Sequence, residues 1–195
     1  LLETRKEQTA YNQHLAHLKT SRHIFYTQIA DFLEVVNPKR VSGIIEEGRD
    51  QMGKSWTIIG IRQGMKNSFE GLNSLLNETL DMTQASIKLL DTIYKRFKDE
   101  HKLDVEQAAR FDIKVYQRRL DQLLQDGLEF CDSSEAVLTG QSALTKRFVD
   151  TIGEQAIIIF KEAQADVKRW KARGLSNLIR EVNEHKIFID SNIDN

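Results

Sequence analysis

Pro38 is the single proline in 195 residues, and on both sides of it apolar residues recur at helical spacing. A helix interior excludes proline, because the ring clashes with the preceding turn and the amide donor is missing. The usual share is about 5%, and strands and turns bring more proline than this chain has. Long helices are therefore the expectation. Tyr11, Leu15, Leu18, Phe25, Ile29, Phe32 and Val36 step by fours and threes, with Arg22 filling one slot, so a heptad seam is predicted from about Glu3 to Val36. Asn37-Pro38 ends it, since the residue before proline is driven out of the helical region. A second seam runs through Phe69, Leu72, Leu76, Thr79, Thr83, Ile87, Leu90, Tyr94 and Phe97. A helix from about Thr57 to Asp99 would be roughly 60 Å long.

A third helix is predicted over about Asp112 to Gln125, with Ile113, Tyr116, Leu120, Leu123 and Leu124 on one face and Gly127 as its stop. The polar run Asp132-Ser133-Ser134-Glu135 breaks the pattern and could cap the next helical segment. A last helix, Ser142 to Lys186 with a bend near Gly174, carries Val149, Ile152, Ala156, Phe160, Ala163, Val167, Trp170, Gly174, Leu178 and Val182 on one stripe. The expected fold is all-α: an elongated antiparallel bundle of long helices, a single domain over residues 1–195. The chain begins at Leu1 and its methionines are Met52, Met65 and Met82, so a piece of a longer protein is expected.

Composition narrows the function. Charged residues make up 29% of the chain but nearly cancel, to a net charge of −1, which argues against a nucleic-acid binder working through a bulk positive field. Cys131 is alone, so no internal disulfide and no thiolate cluster can form, and a reducing compartment is the natural inference. No apolar run reaches the ~18 residues that a membrane span needs, and Leu1-Leu2 followed by Glu3, Arg5 and Lys6 does not read as a signal peptide.

Gly48-Arg49-Asp50-Gln51-Met52-Gly53-Lys54-Ser55 matches the phosphate-loop pattern letter for letter. In a working loop, backbone amides cradle phosphates, the lysine reaches the outer ones and the serine holds magnesium. That requires a buried strand before the loop and a parallel sheet around it. Val41-Ser42-Gly43-Ile44-Ile45-Glu46-Glu47 is no such strand, so the match is read as chance. A second reading takes the glycines together. Gly53, Thr57, Gly60, Gly64, Asn67, Gly71 and Ser74 alternate steps of four and three, a stripe of small residues on one helix face. Interior glycine costs roughly 1 kcal/mol against alanine, which close approach of another helix would offset. Gly53, Thr57, Gly60, Gly64 and Gly71 are the candidate packing stripe. A partly looped segment with coincidental register, and a hinge, stay open beside it.

His14 and His17 lie three apart, with His23 beyond, a spacing that could share a metal. No nearby carboxylate or cysteine completes the set, and Leu15 and Leu18 define the buried face beside them, so solvated histidines are expected. Lys168, Arg169, Lys171 and Arg173 surround Trp170, with Lys161, Arg180 and Lys186 along the same helix. They are candidate lipid or phosphate contacts. Glu162, Asp166, Glu181 and Glu184 dilute the charge, and Trp170 lies on the apolar stripe, so a core tryptophan beside a solvated face is the expectation. No catalytic, cofactor-binding or metal residue is assigned.

Three stretches carry a resemblance. They are Ser55-Trp56-Thr57 with Gly60 and Gly64-Met65; Ile93-Tyr94-Lys95-Arg96-Phe97-Lys98-Asp99-Glu100-His101-Lys102-Leu103 with Phe111, Tyr116 and Leu120; and Ala143-Leu144-Thr145-Lys146-Arg147-Phe148 running on to Ile159-Phe160 and Trp170. Together, from about Ile44 to Lys186, they resemble the C-terminal helical region of bacterial dynamin-like GTPases. The resemblance implies a stalk that passes nucleotide-driven motion to self-assembly or membrane remodelling. It implies no cofactor in this chain, GTP and magnesium in the parent protein, and an upstream GTPase domain with its own phosphate loop. It further implies self-association, a peripheral membrane contact and a cytoplasmic place at the inner face of the membrane. No GTPase residue carries over. The alternatives are a helical scaffold or signalling bundle unrelated to a GTPase and, more distantly, a nucleotide-binding enzyme using Lys54 and Ser55.

Overall fold

The structure, a computed structural model, describes residues 2–108 and 110–193, without the side chains of 2–4 and 192–193. It is all-α, with no strand among the described residues. Helix α1 spans Leu2–Val35. Asn37 then takes an extended backbone, and its side-chain oxygen accepts from the Lys39 amide at 3.0 Å. Pro38 opens α2, Pro38–Lys54, where its missing donor costs nothing. The Asn37-Pro38 pair thus stops one helix and starts the next. After a three-residue turn comes α3, Ile58–His101, 44 residues long.

Helix α4 spans Lys114–Asp132. It runs past the predicted stop at Gly127, because that glycine is a packing position: a Cβ there would lie 2.6 Å from Phe69 Cζ. Ser133 then caps the short α5, Ser134–Leu138, by accepting from the Ala136 amide at 3.2 Å. The predicted last helix runs without interruption from Gln141 to Arg173, as α6, Gln141–Arg147, a π-type turn, Phe148–Gly153, and α7, Glu154–Arg173, and resumes after a two-residue break as α8, Ser176–Ile193. The break after Arg173 falls at the expected bend, Gly174.

The chain divides into two compact units. The first comprises Leu1–Asp31, Thr83–Phe111 and Val167–Asn195. Its core holds Phe25 and Ile29 of α1, Leu90, Ile93 and Phe97 of α3, Trp170 of α7 and Leu178 and Val182 of α8. Gly174 lets Phe25 close over the α7–α8 break, since a Cβ there would stand 2.7 Å from Phe25 Cζ. The Tyr94 hydroxyl donates to the Gly174 carbonyl freed by that break, at 2.8 Å. The second unit comprises Phe32–Met82 and Asp112–Asp166. Its core holds Val41, Ile45 and Met52 of α2, Ile61, Met65, Phe69 and Leu72 of α3, Leu120, Leu124 and Cys131 of α4, Leu144 of α6 and Phe148 of the π-type turn.

The α1 seam differs from the predicted one by a small rotation. Tyr11, His14, Leu18, Ser21 and Phe25 are buried, whereas Arg22 is exposed and Leu15 only half-buried. Steps of three, four, three and four through 11, 14, 18, 21 and 25 are as helical as the predicted set. Two of those positions are polar, so a search for apolar residues passes over them.

Candidate functional site

The small-residue stripe does not run along one helix, because α2 ends at Lys54 and α3 starts at Ile58. Gly53 is exposed and meets nothing within 4 Å. Thr57 lies in the turn, and its hydroxyl oxygen accepts from the Gly60 amide at 3.1 Å, capping α3. Gly60 sits against that cap, where a Cβ would meet Ser55 Oγ. Gly64 and Gly71 do make a helix contact. A Cβ at Gly64 would stand 3.2 Å from the Met52 amide nitrogen and 3.3 Å from the Gly48 carbonyl, and one at Gly71 would stand 3.0 Å from Ile44. The partners descend through 52, 48 and 44 as α3 ascends, so α2 and α3 cross antiparallel at backbone distance. Gly48, absent from the predicted stripe, is the α2 side of this crossing.

That crossing also places the phosphate-loop match. Gly48 to Lys54 form the last turns of α2, with Ser55 as its C-cap. Their amides are engaged in helical hydrogen bonds. The end of the helix they build is its carbonyl end, which carries partial negative charge and disfavours phosphate. Gly48 is buried against α3 and Lys54 is exposed, so no phosphate cradle is formed by these residues.

Of the basic candidates, Lys168, Arg169 and Arg173 are exposed on α7. Lys171 is half-buried, with its ammonium 5.0 Å from the centre of the Tyr26 ring. Trp170 between them is a core residue, 3% exposed, edge-on to Phe25 and stacked near Phe111.

The histidines require a correction. His14 is buried and His17 half-buried rather than solvated. Two distant residues join them in the first unit: His101, the last residue of α3, and His185 of α8. His17 Nδ1 and His101 Nε2 are 2.6 Å apart. The His14 ring lies 4.5 Å from His101 and 5.6 Å from His185, centre to centre. Glu100 adds a carboxylate, 3.8 Å from His17 Nδ1. One donor atom each from His17, Glu100 and His101 lies within 4.8 Å of the others. Among the described residues, His14 Nδ1 and His185 Nδ1 are buried without a hydrogen-bond partner.

The electrostatics follow from that crowding. Burial, then the neighbouring His101, His185 and His17, push the His14 pKa down to about 4. Burial and His17 lower that of His101 as well. A hydrogen bond from Arg96 holds Glu100 below its ordinary value, as a carboxylate. His14 is therefore neutral at pH 7, with the lone pair of one ring nitrogen available. His23, the third histidine singled out from the sequence, is exposed and apart from the cluster.

A second unassigned feature lies in the second unit. Trp56 in the α2–α3 turn is 91% exposed, Ile59 76% and Leu138 of α5 87%. The Gln141 amide at the start of α6 bonds the Ser55 carbonyl, so Trp56, next to Ser55, and Leu138, three residues before Gln141, flank one contact. Arg49 and Lys146 line a groove beside it with Gly53 and Gln141. No helix of the described residues is long and apolar enough to cross a membrane.

Fold and sites thus define an all-α protein with a partly buried histidine cluster and an exposed tryptophan turn. Compared with models of protein families, with curated proteins and with solved structures, the chain matches none.

Proposed function

We propose that this chain is a mechanical and assembly module, the helical stalk of a dynamin-like GTPase, built as an elongated antiparallel bundle and active through contacts at its surface. The observation that carries the reading is the exposure of Trp56, Ile59 and Leu138, with Trp56 and Leu138 on either side of the Gln141–Ser55 hydrogen bond and Arg49 and Lys146 lining the groove at Gln141. Exposed apolar patches of this kind mark interaction surfaces. Tryptophan among basic residues suits the headgroup layer of an anionic membrane. The resemblance of the three stretches to the helical region of dynamin-like GTPases is the second support for this reading. In this reading the rigid helices carry motion from a nucleotide-binding domain elsewhere in the parent protein to a membrane-facing tip.

Co-sedimentation with anionic and with neutral vesicles tests it. The expected result is binding to the anionic vesicles alone, weakened at least about tenfold by Trp56→Ser with Leu138→Ser, while the helical circular dichroism is unchanged. Equal sedimentation of variant and parent would remove the membrane role. A solution mass that falls in the variant, without vesicle binding, would assign the patch to self-association.

A further inference from the structure

We propose that His17, Glu100 and His101 form a binding site for a zinc-class divalent transition metal ion, with His14 or water in the fourth position. Three observations carry this. First, the donors converge: one atom each from His17, Glu100 and His101 falls within 4.8 Å, from two helices far apart in sequence. Donors around a tetrahedral zinc ion with ~2.0–2.1 Å bonds stand roughly 3.3 Å apart. The 2.6 Å between His17 Nδ1 and His101 Nε2 and the 3.8 Å from His17 Nδ1 to Glu100 lie on either side of that spacing, and the third pair, Glu100 and His101, stands within 4.8 Å, so side-chain rotation has to draw the carboxylate inward onto the ion.

Second, the chemistry suits the ion. Two imidazoles and a carboxylate are a zinc-type donor set, and imidazole selects zinc, copper, nickel or iron over magnesium or calcium. Third, a plain hydrogen bond between His17 and His101 leaves part of the cluster unexplained. It satisfies one nitrogen on each ring, while His14 Nδ1 and His185 Nδ1 stay buried and unpartnered. A buried polar atom without a partner is costly. His14 packs edge-on against His101, ring centres 4.5 Å apart; its nitrogens fall outside the three converging donors, and it would reach the ion by turning its ring.

The backbone holds the ligands in place. Glu100 and His101 end α3, and Lys102 follows with a φ of 59°. The Leu103 amide bonds back to the Phe97 carbonyl at 3.1 Å, closing the helix end just behind His101. His14 and His17 are one turn apart on α1. An ion here would join α1 to the end of α3 in the first unit. The metal site does not rest on the stalk reading, since it concerns the other unit and another chemistry.

The test is a calorimetric titration of the whole chain, without a histidine tag and stripped by a chelator, with zinc chloride. The expected result is one equivalent bound at micromolar Kd or tighter, with His17→Gln and His101→Gln each weakening binding at least about 100-fold and the exposed His23→Gln leaving it unchanged. Cobalt should give the visible bands of a four-coordinate ion in the parent and lose them in His17→Gln. Should either variant lose its helical circular dichroism, Glu100→Gln takes its place with the same expected loss. No binding, binding that survives these substitutions, or binding equally lost with His23→Gln would each overturn the site.

Discussion

At Gly64 a single methyl group separates a fit from a clash. Alanine is the better helix former by roughly 1 kcal/mol, yet a Cβ here presses on the Met52 backbone nitrogen and the Gly48 carbonyl, and neither can rotate away. Gly64→Ala should lower stability by about 1–3 kcal/mol, the usual cost of overpacking. Gly43 lies in α2 with nothing within 4 Å of its would-be Cβ, and Gly43→Ala should raise stability by up to about 1 kcal/mol. Urea melts of the two variants check the contrast, and equal shifts would remove the crossing. Helical spacing nominates Gly64 but equally nominates Gly53, which touches nothing. His14 teaches the same lesson in reverse: its step from Tyr11 and to Leu18 is heptad-like, but imidazole is not counted as core until its partners are known.

Among the elements, helix ends follow most closely from local chemistry. Asn37-Pro38 and Ser133 cap as their side chains dictate, and α1 and α3 begin and end within two residues of the predicted limits. The end of α3 holds a local conflict: Lys102 sits in the left-handed region that glycine occupies at low cost. Lys102→Gly should therefore stabilise the protein by about 0.5–1 kcal/mol, read as a higher urea midpoint with an unchanged slope. A lower midpoint would mean that the Lys102 ammonium bond to the Asp99 carbonyl, 2.9 Å, outweighs the backbone strain. The π-type turn at Phe148–Gly153 had no local signal. Gly153 packs there against Ile45, a would-be Cβ lying 2.8 Å from Ile45 Cγ2, and that contact with α2 is tertiary.

For the molecule as a whole, each unit carries its own reporter. Trp170 is buried in the first and Cys131 in the second. Burial, then Asp132, raises the Cys131 thiol pKa to about 11. At pH 8 the native thiol should react with a thiol reagent at least about a hundredfold more slowly than the unfolded chain. Labelling should quicken as pH rises toward 11, because the thiolate fraction grows. Trp56→Phe leaves Trp170 as the sole tryptophan, whose emission should shift to the red when the first unit unfolds. Comparing the two signals along a urea series measures whether the units unfold together. Fast native labelling of Cys131 would contradict its burial.

The sequence alone determined the helices, most of their ends and the greater part of the buried stripes. Helical hydrogen bonds reach only four residues, and caps and apolar periodicity act over the same range. Tertiary structure decided which small or polar residues meet a partner. It set Gly48 against Gly64, turned the phosphate-loop pattern into the carbonyl end of a helix, and gathered His14, His17, His101 and His185 from three helices. Each of those placements depends on where a distant helix packs, and no local pattern carries that information.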